Sequence, residues 1–242
     1  MLTASAHDFE RRAAEYDDHA SVQREAAAWL AEWLPAKIEG PAVELGAGTG
    51  LFTRHLAARA GGLAATDASP AMVRAGAAAV PSARWSVADA TRPPDTHRYL
   101  WVFSCSLVQW LPDPAAAFRA WHRFSAPGAR LFAGWFIRGT LREFFAACPE
   151  ASPFLWRDAA EWEDLLARSG WKVERSETRS FRREDKDSAG MLRKIHNSGA
   201  AVPRRLGAGR LRRALREHDR AQGNGRGVQT NFEFLRVEAV KQ

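Results

Sequence analysis

Three glycines spaced two apart, Gly46, Gly48 and Gly50, follow a short apolar segment in this chain of 242 residues. Glycines in this pattern allow a tight turn between a strand and a helix, and they let the backbone approach a ligand closely. A fingerprint for the pyrophosphate of a dinucleotide would carry a further glycine where this chain has Leu51. Glu44, just before the turn, would repel a pyrophosphate but could accept a hydrogen bond from an ammonium group. The turn therefore indicates a ligand with a positive charge rather than one with phosphates.

Two aspartates stand at the ends of the next two predicted strands. Asp67 lies about 20 residues after the turn, where a carboxylate can accept hydrogen bonds from ribose hydroxyls. Asp89 closes the following strand, where a carboxylate can accept a hydrogen bond from the amino group of adenine. With Glu44, these acids are typical of a site for a nucleoside that bears a cationic amino-acid tail.

The strands and helices that position these residues alternate along the chain. We predict strands over 42–45, 63–66, 84–87, 100–103 and 130–133. We predict helices through 51–56, from Pro70 onward and over 114–124. This alternation indicates βαβ units and a parallel sheet, and such sheets bind ligands at the carboxyl ends of their strands.

The regions on either side of this core are predicted to add helices and to complete the sheet. Apolar periodicity predicts a helix over 9–16, a break at 17–19, and a second helix that Ser21 caps and Pro35 ends. Beyond Phe136 we predict helices over 140–147, 158–169, 187–196 and 209–220, and strands over 172–181 and 231–240.

Three motifs together resemble the class I S-adenosylmethionine-dependent methyltransferases. They are Glu-Leu-Gly-Ala-Gly-Thr-Gly at 44–50, Asp-Ala-Ser-Pro-Ala-Met at 67–72 and Ala-Asp-Ala at 88–90. The resemblance covers 41–136 and implies a Rossmann-like α/β fold with a seven-stranded sheet, whose last strand is antiparallel, and with helical cap elements. It also implies that S-adenosylmethionine is the cofactor, with Asp67 on the ribose and Asp89 on the adenine.

The cofactor site expected from these motifs and from the helices before them draws on the whole first half of the chain. Its residues are Tyr16, His19, Glu44, Gly46, Gly48, Gly50, Asp67, Ala68, Met72, Asp89, Ala90 and Ser104.

Four further stretches resemble one branch of that class, the malonyl-acyl-carrier-protein O-methyltransferases of biotin synthesis. These stretches are 14–23, 104–110, 139–143 and 188–199. The resemblance implies methylation of the free carboxylate of malonyl-acyl-carrier protein, an early step of biotin (pimeloyl) synthesis, with the acyl carrier protein as partner. One departure falls after Arg193: the branch has a Gly-Ile-Gly-like turn where this chain has His-Asn-Ser-Gly at 196–199.

Methyl transfer from a sulfonium to an ionised carboxylate needs no general base, so no side chain is assigned acid–base chemistry. It needs the two reactants to be held in line. Arg193 is the candidate that positions the carboxylate, although it could equally be a surface arginine. Tyr16 and His19 are three residues apart and can face the cofactor from one helical turn. Alternatively, they are a packing tyrosine and a solvated histidine.

The positive charge of the chain is concentrated near its C-terminal end. The net charge is +7, and the segment 170–226 alone holds 16 Lys or Arg against 7 Asp or Glu. Such a surface attracts a polyanion, and acyl carrier proteins are acidic. The residues expected to dock the substrate or its carrier are Gln109, Trp110, Arg193, Arg204, Arg205, Arg210, Arg212, Arg213, Arg216 and Arg220. The alternative is an arginine-rich surface without a partner.

The composition excludes several classes of protein. A content of 46% hydrophobic residues is too apolar for a disordered chain, and no apolar run approaches the ~18 residues that cross a bilayer. Two cysteines, Cys105 and Cys148, form neither a disulfide framework nor a metal cluster. We expect no secretory signal, no metal, no membrane partner, a cytoplasmic location and a monomer rather than an oligomer.

A single methyltransferase domain over 1–242 is expected. It would divide into N-terminal helices over the cofactor (1–40), a cofactor-binding core (41–136), a cap with sheet completion (137–227) and a final strand (228–242). The alternatives are a methyltransferase for another small carboxylic acid or small molecule, a nucleic-acid methyltransferase, and a non-enzymatic S-adenosylmethionine-binding subunit. The sequence disfavours a nucleic-acid methyltransferase. Enzymes that methylate base amino groups usually have an acidic or Asn residue followed by Pro-Pro and an aromatic residue after the fourth strand, where this chain has Ser-Cys-Ser-Leu at 104–107.

Overall fold

The computed structural model describes residues 9–92, 98–148, 156–197, 207–223 and 227–242. Its strands are β1 (Ala42–Leu45), β2 (Leu63–Asp67), β3 (Arg84–Val87), β4 (Tyr99–Cys105), β5 (Ser125–Phe136), β6 (Trp171–Asp185) and β7 (Val228–Lys241). They form one sheet in the order β3-β2-β1-β4-β5-β7-β6. Strands β1 to β5 are parallel, and β7 runs antiparallel to both β5 and β6. The predicted seven-stranded sheet with an antiparallel last strand is confirmed.

Helices cover both faces of this sheet. They are α1 (Tyr16–His19), α2 (Ser21–Ala31), α3 (Thr53–Ala57), α4 (Pro70–Ala79), α5 (Pro114–Phe124), α6 (Arg142–Ala147), α7 (Ala159–Ala167), α8 (Ser188–Asn197) and α9 (Ala208–Gln222). A short 3₁₀ helix spans Val108–Trp110. Within the described residues, no helix is both long and apolar enough to cross a membrane.

The alternation of side chains along the central strands divides the core into two layers. On β4, Val102 packs into one cluster with Trp121 and Trp135, while its neighbour Phe103 packs into another with Leu30. Successive residues of a strand point to opposite faces, so a central parallel strand is apolar throughout. Packed side chains therefore cover both faces of the sheet, and a ligand can bind at the carboxyl ends of the strands.

The N-terminal helices differ from the prediction in their boundaries. The predicted helix over 9–16 is interrupted by a turn at 13–15, and the predicted break at 17–19 is wrong, because these residues lie in α1, which Ala20 separates from α2. Ser21 is the first residue of α2 and not its cap; Ala20 occupies the cap position, without a side-chain hydrogen bond. The polar triplet Asp17–His19 is compatible with one exposed helical turn, which composition alone did not distinguish from a loop.

The C-terminal half adds a small helical layer beside the sheet. Met191 of α8, Ala214 of α9 and Phe144 of α6 are buried together in one apolar cluster. Helix α9 is tied to α8 by Asp219, which accepts hydrogen bonds from the backbone N–H and the hydroxyl of Ser188. This layer fixes which faces of α8 and α9 remain exposed.

Candidate functional site

A cavity of about 840 Å³ opens at the carboxyl ends of β1 to β4. This volume lies in the upper part of the range for small-molecule sites, roughly 300–1,000 Å³. Its wall includes the turn after β1, the ends of β2 and β3, and the segment after β4, at Gly48, Asp67, Asp89 and Ser106. The position agrees with the general rule for ligands of open α/β sheets.

The glycine turn has the backbone conformation that its sequence predicts. Gly46, Gly48 and Gly50 have φ values of 72°, 56° and 91°, a region that favours glycine. A Cβ on Gly48 would meet nothing within 4 Å, because this residue faces the open cavity. A Cβ on Gly46 would lie 2.8 Å from the side chain of Leu107. Gly48 thus gives a ligand access to the backbone, while Gly46 allows close packing against the segment after β4.

Asp67 is held in place by the backbone around it. Its Oδ2 accepts a hydrogen bond from the N–H of Gly48 at 2.9 Å, and its Oδ1 accepts one from Ser69 at 2.9 Å. Burial raises the pKa of this carboxyl, while these backbone hydrogen bonds act in the opposite direction. Each oxygen keeps a lone pair, since a carboxylate offers about four acceptor sites. The group can therefore accept hydrogen bonds from two neighbouring hydroxyls of a sugar.

Glu44 is the most deeply buried acid of the cavity wall. Its side chain is 1% exposed, and its Oε2 accepts a hydrogen bond from the hydroxyl of Thr53 at 2.6 Å. Burial raises the pKa of Glu44 to about 8, although the Thr53 hydrogen bond lowers it. Near neutral pH, a cationic group placed beside Glu44 would favour its ionised form. The residue therefore suits a ligand with an ammonium or sulfonium group.

Asp89 lies at the opposite end of the wall and is exposed. Its Oδ1 accepts hydrogen bonds from the N–H and the hydroxyl of Thr91, both at 2.8 Å. The carbonyl of the neighbouring Ala90 accepts a hydrogen bond from the indole N–H of Trp121 at 2.7 Å, which fixes the chain after β3. Asp89 is thus oriented by its own turn and remains accessible to a ligand.

The N-terminal segment, residues 9–19, packs against the cavity. Phe9 packs edge-to-face on Trp110, with ring centroids 5.2 Å apart. Glu10 accepts hydrogen bonds from the hydroxyl of Ser69 and from the N–H of Ala71 at 2.9 Å, at the N-terminus of α4. The hydroxyl of Thr49 in the glycine turn donates to Asp17 at 2.5 Å. These contacts hold the segment against both the helix and the turn that form the cavity.

The structure brings most of the sequence-predicted cofactor residues to this one cavity. Those on its wall are Tyr16, Glu44, Gly46, Gly48, Asp67, Ala68, Met72, Asp89 and Ala90. Burial raises the pKa of the Tyr16 phenol, and Cys105, Asp17 and Asp67 add to this effect in the same direction. Tyr16 is therefore a neutral hydrogen-bonding group over the whole range of physiological pH.

Three predicted cofactor residues, His19, Gly50 and Ser104, are not part of the described wall. His19 is half-buried in the last position of α1. A Cβ on Gly50 would lie 3.1 Å from Val80, so this glycine serves the packing of the turn. Ser104 is fully buried, and its hydroxyl donates to the carbonyl of Leu45 at 3.0 Å. It joins two strands rather than facing a ligand.

The predicted substrate residues are distributed differently. Trp110 lies on the cavity wall, whereas Gln109 beside it donates to the carbonyl of Ser106 at 2.9 Å and is not part of that wall. Arg193 is exposed on α8 and is also absent from the wall. The described arginines of α9 are exposed; they are Arg210, Arg212, Arg213, Arg216 and Arg220. Arg204 and Arg205 lie outside the described residues.

Sequence reasoning missed several residues of the wall. Phe9 precedes the motifs and reaches the cavity only through the path of the chain, while Glu10 beside it contacts the N-terminus of α4 without lining the wall. Gln23 lies on the cavity face of α2, and Ser106 directly follows β4. Both belong to stretches that carry the narrower resemblance, and this was the signal that could have found them.

The chain matches the methyltransferase domain over residues 43–133. It is 31% identical over 237 residues to the biotin biosynthesis bifunctional protein BioCD of Bordetella avium (strain 197N), covering 89% of this chain and 48% of that protein. It is 27% identical over 172 residues to the malonyl-[acyl-carrier protein] O-methyltransferase of Pseudescherichia vulneris, covering 70% and 68%. The bifunctional protein BioHC of Cellvibrio japonicus (strain Ueda107) is also similar. The chain spans 30% of the length of BioHC and 48% of BioCD.

Solved structures share the fold at low sequence identity. The YcgJ protein of Bacillus subtilis superposes with a TM-score of 0.68 at 13% identity, covering 90% of this chain and 98% of that one. A phosphoethanolamine N-methyltransferase of Haemonchus contortus, solved with S-adenosylmethionine, has a TM-score of 0.60 at 16% identity, covering 96% and 57%. The expected resemblance to the malonyl-acyl-carrier-protein O-methyltransferases is confirmed by the named relatives. Residues 43–133 are therefore a methyltransferase domain, and the seven-stranded sheet has the class I methyltransferase fold.

Proposed function

We propose that this chain transfers the methyl group of S-adenosylmethionine to the free carboxylate of a malonyl thioester carried by an acyl carrier protein. The product would be the methyl ester that enters biotin synthesis. The observation that carries this proposal is the similarity to malonyl-[acyl-carrier protein] O-methyltransferases, at 27% identity over 70% of the chain. The methyltransferase domain indicates methyl transfer, and the named relatives suggest the substrate and its carrier.

Within the cavity, we propose that the acids described above hold the cofactor. Asp67 would accept hydrogen bonds from the ribose hydroxyls, Asp89 from the adenine, and Glu44 would face the cationic tail. Gly48 provides open space for the ligand where any other residue would place a side chain. Tyr16 closes the cavity from the N-terminal segment.

The proposed reaction needs no acid–base catalysis. The bond between sulfur and the methyl carbon breaks, a bond from a carboxylate oxygen to that carbon forms, and the sulfonium becomes a neutral thioether. No proton moves. The contribution of the chain is to hold the carboxylate oxygen in line with the breaking bond, which can supply much of the acceleration.

The basic face of α9 supports a macromolecular carrier as partner. Its arginines Arg210, Arg212, Arg213, Arg216 and Arg220 are exposed, and α9 packs beside α8 at the C-terminal layer. An acidic carrier would be steered to this face, which raises the association rate and weakens with added salt. Arg193 and Lys194 of α8 are also exposed, so we assign Arg193 to the same basic region and not to the cavity.

The experiment that tests this function offers alternative acceptors to the purified chain. The chain would be incubated with S-adenosylmethionine and malonyl-acyl-carrier protein, with malonyl-coenzyme A, or with a free dicarboxylic acid, and the products would be weighed by mass spectrometry. Selective methylation of the carrier-bound malonyl group supports the proposal. Preference for a free acid would favour the rival reading, a small-molecule carboxyl methyltransferase.

A further inference from the structure

The cavity wall formed by α2 and the segment after β4 carries uncharged hydrogen-bonding side chains. Gln23 faces the cavity from the first turn of α2, and Ala27, one turn later, lines it too. Among the described residues, nothing forms a hydrogen bond with the amide of Gln23. A side-chain amide in this position can donate two hydrogen bonds to a ligand.

Ser106 lies on the same wall and is held in an uncommon conformation. Its φ of 59° is in the left-handed region, which is rare for residues other than glycine. The N–H of Ser106 donates to Gly134 at 2.8 Å, and its carbonyl accepts from the amide of Gln109 at 2.9 Å. Its hydroxyl lies 3.7 Å from the sulfur of Cys105, which also lines the cavity. Such strained residues are concentrated at functional sites, where the surrounding structure maintains them.

The acids of the wall lie on other strands than Ser106, although Glu44 is on β1, which pairs with β4. Glu44, Asp67 and Asp89 stand at the ends of β1 to β3. Of the described residues that line the cavity, Arg92 is the one with a permanent positive charge, and it follows Asp89 by three positions. Arg193 is exposed on α8 and lies outside the wall. A carboxylate bound beside α2 and β4 would therefore find neutral donors on the protein.

Neutral donors suit the transfer of a methyl group to oxygen. A guanidinium fork binds both oxygens of a carboxylate with charge-assisted hydrogen bonds and so draws electron density from the oxygen that must attack. A hydroxyl and an amide can fix one oxygen and leave the other free. The sulfonium of the bound cofactor would supply the opposite charge, which a buried carboxylate requires.

We propose that Gln23 and Ser106 bind the carboxylate of the methyl acceptor, and that Arg193 does not. This inference rests on the proposed function only in that the acceptor is a carboxylate. The methyl transfer remains balanced as written above, since neither side chain gains or loses a proton. Gln23 and Ser106 are then the residues that select a carboxylate acceptor.

The test compares variants that remove each hydrogen-bonding group at little structural cost. Gln23→Met keeps the length of the side chain, and Ser106→Gly removes the hydroxyl at a φ that glycine accepts readily. On a short malonyl thioester, which avoids the docking face, each should lower kcat/KM about 10- to 100-fold, the worth of one hydrogen bond to a charged group. The Kd for S-adenosylmethionine should stay within about twofold, since the cofactor is held by other residues. Arg193→Ala should change kcat/KM on this substrate less than about twofold, as expected for an exposed side chain.

A charge added at the same place gives a sharper readout. Gln23→Glu would set a second carboxylate against the acceptor, so its loss should exceed that of Gln23→Met. Gln229→Glu, the same change at an exposed position of β7, is the matched control and should leave the kinetics unchanged. A structural role of Gln23 would instead make the two substitutions equally harmful.

The outcomes separate this inference from the proposed function. If the native chain methylates the malonyl thioester and both neutral variants keep full kcat/KM, the inference is overturned and the function stands. A Kd for S-adenosylmethionine that weakens in parallel with activity would also overturn it, because the two residues would then serve the cofactor. If another carboxylic acid is the acceptor, the same losses on that acid support the inference while the proposed substrate fails.

Discussion

Asp67 is the residue on which the cofactor site depends most directly, because both of its oxygens are fixed by backbone N–H groups at 2.9 Å. Asp67→Ala removes the acceptors for the ribose hydroxyls and also frees two backbone donors. We expect the affinity for S-adenosylmethionine to fall at least about 100-fold, as for the loss of two charge-assisted hydrogen bonds. Calorimetric titration measures this directly.

A matched control for that substitution is Asp158→Ala, which removes an aspartate that caps α7 and is absent from the cavity wall. It should cost stability and leave the cofactor affinity unchanged. If Asp67→Ala bound S-adenosylmethionine as tightly as the native chain, the assignment of the ribose site would be wrong.

Glu44 makes a prediction about pH. Its pKa of about 8 in the folded chain lies above the value near 4.5 expected on unfolding, so the unfolded state loses this proton first as pH rises. The contribution of Glu44 to the free energy of unfolding therefore falls between about pH 4.5 and pH 8. Glu44→Gln abolishes this titration, and we expect the variant to lose less stability than the native chain between pH 5 and pH 8.

Urea denaturation at the two pH values compares the chains without the cofactor. Asp67 also has a raised pKa and is present in both chains, so the difference between them comes from Glu44 and its electrostatic interaction with Asp67. Equal pH dependence in native and Glu44→Gln chains would show that Glu44 is not held in the protonated form.

At the scale of elements, the carboxylate of Glu10 attaches the N-terminal segment to α4. Glu10 accepts from Ser69 and Ala71 at the start of α4 and lies 3.8 Å from Arg74. An anionic group is favourable at the N-terminus of a helix. Glu10→Gln weakens this attachment, so we expect S-adenosylmethionine to dissociate a few times faster in stopped-flow measurements.

Glu15→Gln provides the control, since Glu15 is an exposed acid of the same segment outside the described cavity wall. It should leave the dissociation rate unchanged. A release rate that is the same in Glu10→Gln and the native chain would mean that the segment does not limit the exit of the cofactor.

The exposed face of α9 makes a second prediction at this scale. Reversing Arg212, Arg213 and Arg216 to glutamate should raise KM for the carrier-bound substrate about tenfold at low salt, through slower association. The short malonyl thioester should be converted as before. Steady-state kinetics on both substrates, at low and high salt, check this expectation.

The control reverses three exposed arginines elsewhere, Arg119 and Arg123 on α5 and Arg182 on β6. It changes the net charge equally, so it separates a local docking face from the overall charge. Equal losses on carrier-bound and short substrates in the α9 variant would indicate that the helix supports the fold instead.

For the molecule as a whole, the sequence predicted the strands and helices of the core because the residues that specify each element are adjacent in the chain. Helix α5 runs from Pro114 to Phe124 as expected, since its proline, its Asp113 cap and its apolar face are adjacent in sequence. The acids and two of the three glycines of the motif line one cavity because parallel strands end at the same edge of the sheet.

What the sequence could not predict depends on how distant elements pack. The orientation of Arg193 follows from the burial of Met191, which turns the opposite side of α8 to solvent. Glu10 contacts the N-terminus of α4 only because the N-terminal segment folds back over that helix. No pattern around Glu10 contains that information, whereas Gln23, which lines the cavity, belongs to the stretch 14–23 that carries the narrower resemblance.

The intact mass of malonyl-acyl-carrier protein after incubation with the chain and S-adenosylmethionine tests the proposed methylation most directly. We expect a gain of one methyl group on the malonyl moiety, with formation of S-adenosylhomocysteine, and no gain on the carrier without malonate. An unchanged mass, with a chain shown by calorimetry to bind S-adenosylmethionine, would contradict it.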